Sequence, residues 1–129
     1  MKVIIADDSG LLRERIRSVL TSFLNVELVG EAADGRTVVR MVKELVPDVV
    51  ILDIQMPELN GIEALKEIRK SGSRATICVL TNFPYPQYRD RCFAEGADYF
   101  FDKNTEFQKL ATMITDLTAM QSGTHEALR

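Results

Sequence analysis

Tryptophan is absent from this chain, histidine occurs once and cysteine only twice. The cysteines, Cys78 in "ATICVL" and Cys92 in "YRDRCFAEG", lack CxxC spacing. They read as free core thiols, not as a disulfide scaffold or a thiolate zinc site. The one histidine, His125, lies in the polar stretch "QSGTHEALR" and reads as a surface residue. It leaves no His-rich zinc site and gives no support to a Ser/His/Asp triad. Long apolar runs are missing as well. The N-terminal "MKVIIADD" is too short in its apolar part for a signal peptide and runs straight into acids. No stretch approaches a membrane span, so the expected setting is cytoplasmic, with no membrane partner. A net charge of −3 gives no electrostatic reason to expect a nucleic acid partner.

What is present is regular alternation. At 129 residues and 46% hydrophobic content the chain can bury one real core. Five short apolar runs, 2–6, 26–32, 48–53, 75–81 and 98–101, predict strands. Segments of helical period lie between and after them, at 10–24, 35–46, 61–70, 85–95 and 105–121. Asp34 reads as an N-cap, Pro47 as a stop, and Thr105 with Gln108 has capping-box spacing. Strand–helix alternation with runs this short predicts an α/β fold: a doubly wound, five-stranded parallel sheet with helices on both faces. Residues 1–121 are expected to form one domain, followed by a polar tail over 122–129.

In such sheets ligands bind beyond the carboxyl ends of the strands, where strand order reverses. The polar residues at those ends are Asp7 and Asp8 after the first strand, Asp53 after the third, Thr81 after the fourth and Lys103 after the fifth. Asp53 closes the apolar run "VVILD". A buried carboxylate there needs partners, because an unpaired buried charge is costly. Each of these residues has an ordinary explanation alone: helix-dipole acids, a strand-end turn, a β-branched strand residue, a surface lysine. Their coincidence at four strand ends is what needs a chemical reason.

The segments "DDS" (7–9), "LDIQMPELNG" (52–61) and "GADYFFDK" (96–103), with Thr81, resemble the receiver domain of response regulators over about residues 2–118. The resemblance implies a flavodoxin-like sheet of order 2-1-3-4-5, which sets the first and third strands side by side. It implies that Asp53 is the phospho-acceptor. Asp8, Asp53 and the carbonyl of Gln55 would bind Mg²⁺ directly, with Asp7 acting through water. Thr81 and Lys103 would hold the phosphoryl oxygens, and Phe100 matches the aromatic switch position. The implied partners are a histidine kinase or histidine phosphotransfer protein upstream and a downstream protein target. That target would dock on the fourth helix, fifth strand and fifth helix of a monomer or a phosphorylation-dependent dimer. The implied role is a stand-alone, non-enzymatic response regulator of a two-component phosphorelay.

The chemistry suits these residue types. Mg²⁺ is hard and takes oxygen ligands. A carboxylate attacking a phosphoryl group needs the equatorial charge neutralised, which a lysine and a divalent cation can do. Several positions depart from the common pattern. Asn104 follows the lysine where many relatives have a cis proline, so a trans bond is expected. Asn82 follows Thr81 where a small residue is usual, which bears on phosphoryl access and lifetime. Gln55 and Phe83 match positions that tune dephosphorylation. Two rival readings are a pseudo-receiver that works without phosphorylation and a receiver cut from a DNA-binding regulator. A dehalogenase-type hydrolase is a third, but Gln55 stands where that class has its second aspartate.

Two carboxylates about 5 Å apart repel by roughly 3 kcal/mol at an effective dielectric of 20. Mg²⁺ is therefore expected to raise the melting temperature, and Asp8→Ala to raise it in the absence of metal. Calorimetry with and without the cation checks both; a Tm lowered by Asp8→Ala would count against three gathered acids.

Overall fold

The computed structural model describes residues 1–127. Five strands alternate with five helices in chain order: β1 (Lys2–Ala6), α1 (Gly10–Leu20), β2 (Glu27–Ala32), α2 (Gly35–Leu45), β3 (Val49–Leu52), α3 (Gly61–Lys70), β4 (Thr76–Thr81), α4 (Pro86–Ala94), β5 (Tyr99–Asp102) and α5 (Lys109–Ala127). All strand pairs are parallel and the sheet order is β2-β1-β3-β4-β5, the flavodoxin-like arrangement.

Strand alternation divides the apolar residues between two layers. Ile4, Val50, Leu52, Ile77, Val79 and Phe100 face one side, where Val38, Val42, Leu65, Ile68 and Cys92 cover them from α2, α3 and α4. Val3, Ile5, Ile51, Cys78 and Leu80 face the other, under Leu12, Ile16 and Leu20 of α1 and Leu110, Met113 and Ile114 of α5. The central strands are apolar on both faces because both faces are covered. Side-chain oxygens cap three helices: Ser9 accepts from the Leu12 N–H, Asp34 from Thr37 and Asn60 from Glu63. After β1, β2 and β3 the entry into the next helix is thus fixed by a cap.

Three helix boundaries differ from the sequence expectation by more than one residue. The first helix was expected to reach residue 24 but stops at Leu20. The hydroxyls of Thr21 and Ser22 donate to the carbonyls of Ser18 and Val19, and turns follow instead. Phe23 folds back against the α1 layer, while Leu24 is fully exposed. The last helix was expected from 105 and begins at Lys109. The capping box does not form, because Thr105 donates to the Asp102 carboxylate and Glu106 accepts from the Asp102 N–H. Those bonds hold residues 103–108 in turns of their own. The helical backbone of α5 runs on through the first residues of the expected polar tail to Ala127; residues 128 and 129 lie outside the described residues, as does the side chain of His125. No peptide bond among the described residues is cis, the 103–104 bond included.

Helix α2 ends on Val46, at φ 46° and ψ 64°, and Pro47 follows. A β-branched residue is poorly suited to the left-handed region that closes helices. Val46 is 70% exposed, so its side chain contributes little packing. Val46→Gly is expected to stabilise the fold by about 1 kcal/mol, the left-handed penalty less the glycine's entropy. A raised urea midpoint at unchanged m-value is the measurement.

Candidate functional site

The carboxyl ends of β1 and β3 lie side by side, with Ala6 opposite Leu52 in the ladder. The next residue on each chain is an aspartate, and the pairing continues from the Asp53 N–H to the Ala6 carbonyl at 2.9 Å. Asp7 and Asp53 are therefore carried into register by the sheet and are 1% and 4% exposed. Asp8, one residue on, is exposed. Carboxylate oxygens of Asp7, Asp8 and Asp53 all lie within 4.8 Å of one another.

The fifth strand supplies the counter-charge. The Lys103 N–H bonds to the Thr81 carbonyl at 2.9 Å, fixing the chain just beyond β5 against the end of β4. From there Lys103 reaches back over the sheet edge. Its ammonium sits 2.8 Å from Asp7 Oδ2 and 3.3 Å from Asp53 Oδ2, with the side chain 8% exposed. One buried cation thus serves two buried anions. Thr81 is fully buried, and its hydroxyl oxygen accepts the Phe83 N–H at 2.9 Å.

Burial pushes the Asp53 carboxyl up from 3.8 to about 6, the Asp7 charge adds to the rise, and Lys103 opposes it. The backbone N–H of Gln55 also favours the ionised form. Gln55 itself is exposed. Phe100 is 5% exposed and faces the α3–α4 layer, away from Tyr99 and Phe101, as strand alternation predicts. Its ring centroid is 6.4 Å from that of Phe93, and the Arg89 guanidinium lies 5.1 Å from Phe93 and 5.9 Å from Phe100.

Some supports of the site were not singled out from the sequence. Arg13 Nη1 donates to the Asp7 carbonyl at 2.6 Å, and its Nε lies 3.4 Å from Glu31, which pairs bidentately with Arg17. Helical periodicity sends Arg13 to the polar face, and nothing in the sequence marks its reach to Asp7. The Ser9 N–H donates to Asp7 Oδ1. Gly61 lies directly against the Asp53 carbonyl, where any Cβ would overlap the oxygen, and its N–H donates to Ile54 at 2.7 Å. Gly35 is held likewise against the Leu59 backbone. The "LNG" turn signals Gly61 in the sequence, but not why glycine is required.

The donor set is all oxygen, two of its three carboxylates are buried, and the local charge without Lys103 is strongly negative. It fits a hard divalent cation such as Mg²⁺.

The family profile described as the response regulator receiver domain matches residues 3–115. Among curated relatives, the chain is 34% identical over 110 residues to the uncharacterized transcriptional regulatory protein YhcZ of Bacillus subtilis, covering 85% of this chain and 51% of that protein. It is 46% identical over 105 residues to a protein-glutamate methylesterase/protein-glutamine glutaminase of Alkalilimnicola ehrlichii, covering 80% of this chain and 27% of the relative. The chain thus spans about half or less of the length of these relatives. The solved CheX–CheY–BeF3–Mg²⁺ complex from Borrelia burgdorferi matches with TM-score 0.84 at 27% identity, covering 92% of this chain and 89% of that one.

Because its carboxyl is raised from 3.8 to about 6, folded Asp53 keeps a proton that the unfolded chain releases. The cost of ionising it in place is absent below pH 4 and complete above about pH 6, where it amounts to about 3 kcal/mol at 1.36 kcal/mol per pH unit. Asp53→Asn is expected to stabilise the metal-free protein by up to about that amount at pH 7.5, and hardly at all at pH 4. The gain should exceed that of Asp8→Ala, since exposed Asp8 is screened by solvent. Urea unfolding at the two pH values measures the difference.

Proposed function

Since the chain belongs to the response regulator receiver domain family of two-component signalling, we propose that Asp53 accepts a phosphoryl group from a phosphohistidine. The donor is a histidine kinase or a histidine phosphotransfer protein. A carboxylate oxygen of Asp53 bonds to phosphorus as the P–N bond of the phosphohistidine breaks. The electron pair returns to the imidazole nitrogen, which takes up a proton, and an acyl phosphate remains on Asp53. The observation that carries this reading is the buried Lys103 ammonium bridging Asp7 and Asp53 at the sheet edge. A group already balancing two carboxylates can follow the charge outward to the phosphoryl oxygens at little reorganisation cost.

Asp8, Asp53 and the Gln55 carbonyl, with Asp7 acting through water, would hold Mg²⁺, which would supply further positive charge for the transfer. The protein's own groups do the rest. Burial of Asp53 keeps water from competing for its carboxylate. Thr81 accepts from Phe83 through its oxygen, so its hydroxyl proton remains available to a phosphoryl oxygen. Drawing Thr81 toward that oxygen pulls on the Phe83 N–H and on the segment leading into α4. Phe100 lies beneath α4 through Phe93 and Arg89, and moves with it.

Residues 1–121 are the switching unit, with the polar 122–129 tail appended. The output surface is the face formed by α4, β5 and α5. Supporting this, α4 buries only Cys92 and leaves Phe83, Tyr85 and Phe93 exposed at its start and along its length. No helix among the described residues is long and apolar enough to cross a membrane.

Treatment with acetyl phosphate and Mg²⁺ is expected to add about 80 Da, the mass of one phosphoryl group, to the native protein and nothing to Asp53→Ala. Lys103→Gln should slow the addition by about a hundredfold, the scale of one lost charge-stabilising contact. Intact-mass spectrometry with peptide mapping reads both; an adduct on another residue overturns the assignment.

A further inference from the structure

Asp7 is held at four of its atoms. Its N–H donates to the Ala32 carbonyl at 3.0 Å, and its Oδ1 accepts the Ser9 N–H at 2.9 Å. Its Oδ2 meets the Lys103 ammonium at 2.8 Å, and its carbonyl oxygen accepts Arg13 Nη1 at 2.6 Å. The last of these falls on the peptide that joins Asp7 to Asp8. A peptide is planar, so a bond to its oxygen also fixes the Asp8 N–H and Cα.

Asp8 has little else to hold it. It is exposed, and among the described residues no group hydrogen-bonds or ion-pairs with its carboxylate. That carboxylate nevertheless stands within 4.8 Å of oxygens of Asp7 and Asp53, where like charges repel. Backbone restraint keeps it there, from Arg13 on the Asp7 side and from the Ser9 N-cap on the other.

Arg13 is anchored in turn. Its Nε lies 3.4 Å from Glu31, which stands opposite Ile5 in the β1–β2 ladder and is gripped by Arg17 at 2.8 and 2.9 Å. One guanidinium thus spans from a β2 carboxylate to the Asp7 carbonyl. A planar fork of donors can make that span; a single ammonium cannot.

We propose that Arg13 is a positioning residue of the cation site: through the Asp7 carbonyl it sets where the Asp8 carboxylate stands. This rests on the reading of the Asp7, Asp8 and Asp53 cluster as the Mg²⁺ site. The role has a distinctive sign. A guanidinium that merely stood near the site would repel a divalent cation, and its removal would tighten binding. A guanidinium that holds a ligand in place does the reverse. Its removal lets Asp8 swing away from its two neighbours, and the site loses a carboxylate.

The test is Mg²⁺ titration of the full chain by calorimetry. Arg13→Gln is expected to weaken Mg²⁺ binding by about tenfold. Arg13→Lys keeps the charge but not the fork and should weaken it by about threefold, which carries the test if Arg13→Gln fails to fold. Arg17→Gln removes an equal charge from the same ion pair without touching Asp7, and should stay within about twofold of the native affinity. In the metal-free Arg13→Gln protein the order parameter of the Asp8 amide should fall from about 0.85 to about 0.6, with that of Asp53 unchanged. Native protein that binds no Mg²⁺ overturns the reading of the site, and this proposal with it. Native protein that binds, beside an Arg13 variant that binds as tightly or more tightly, overturns the role of Arg13 alone. So does an equal loss in Arg17→Gln.

Discussion

Everything at the top of the sheet turns on one ammonium group. Asp7 and Asp53 are brought together because β1 and β3 are hydrogen-bonded neighbours, and both are buried because helices cover the sheet on each face. Without Lys103 the backbone register that places them would also make them repel at short range in a poorly hydrated corner. Lys103 comes from the other end of the sheet, beyond β5, and is held there by its own backbone bond to Thr81. The polar corner therefore joins three of the five strand ends through side chains, and a fourth through the backbone. Its stability and its chemistry share the same atoms.

Much of this arrangement can be read from the chain alone. The apolar run ending in Asp53, the acid pair after the first strand and the lysine after "DYFF" each fall at a strand end, and parallel pairing brings strand ends to one edge. Alternation alone placed Phe100 on the opposite face from Tyr99 and Phe101. What periodicity could not supply was competition from side chains. Thr21, Ser22, Thr105 and Glu106 hydrogen-bond nearby backbone or turn groups and so shorten α1 and delay α5. Nor could it show Arg13 reaching the Asp7 carbonyl, or Asp8 left in solvent while Asp7 is enclosed. Those facts depend on rotamers and on where one turn ends, not on hydrophobic pattern.

The two layers are unequally held. Helices α1 and α5 close one face with several fully buried aliphatic side chains, and α3 inserts Ala64, Leu65 and Ile68 into the other. Helix α4 contributes a single fully buried residue, Cys92, and a stacked pair in Arg89 and Phe93. Arg69 partly compensates. It donates to the carbonyls of Ser73, Ala75 and Gly96 and pairs with Asp98, tying the end of α3 to the turn after α4. The C-terminal end of α4 is thereby anchored, while its start follows the proline-containing segment Phe83–Pro86 with no side-chain cap.

The two glycines beside the acidic corner make the molecule mechanically lopsided. Where Gly61 abuts the Asp53 carbonyl and Gly35 abuts Leu59, backbone meets backbone with no compressible side chain between them. That flank behaves as an anvil. On the other side, α4 is lightly seated and uncapped, so the acidic corner has one unyielding flank and one compliant one.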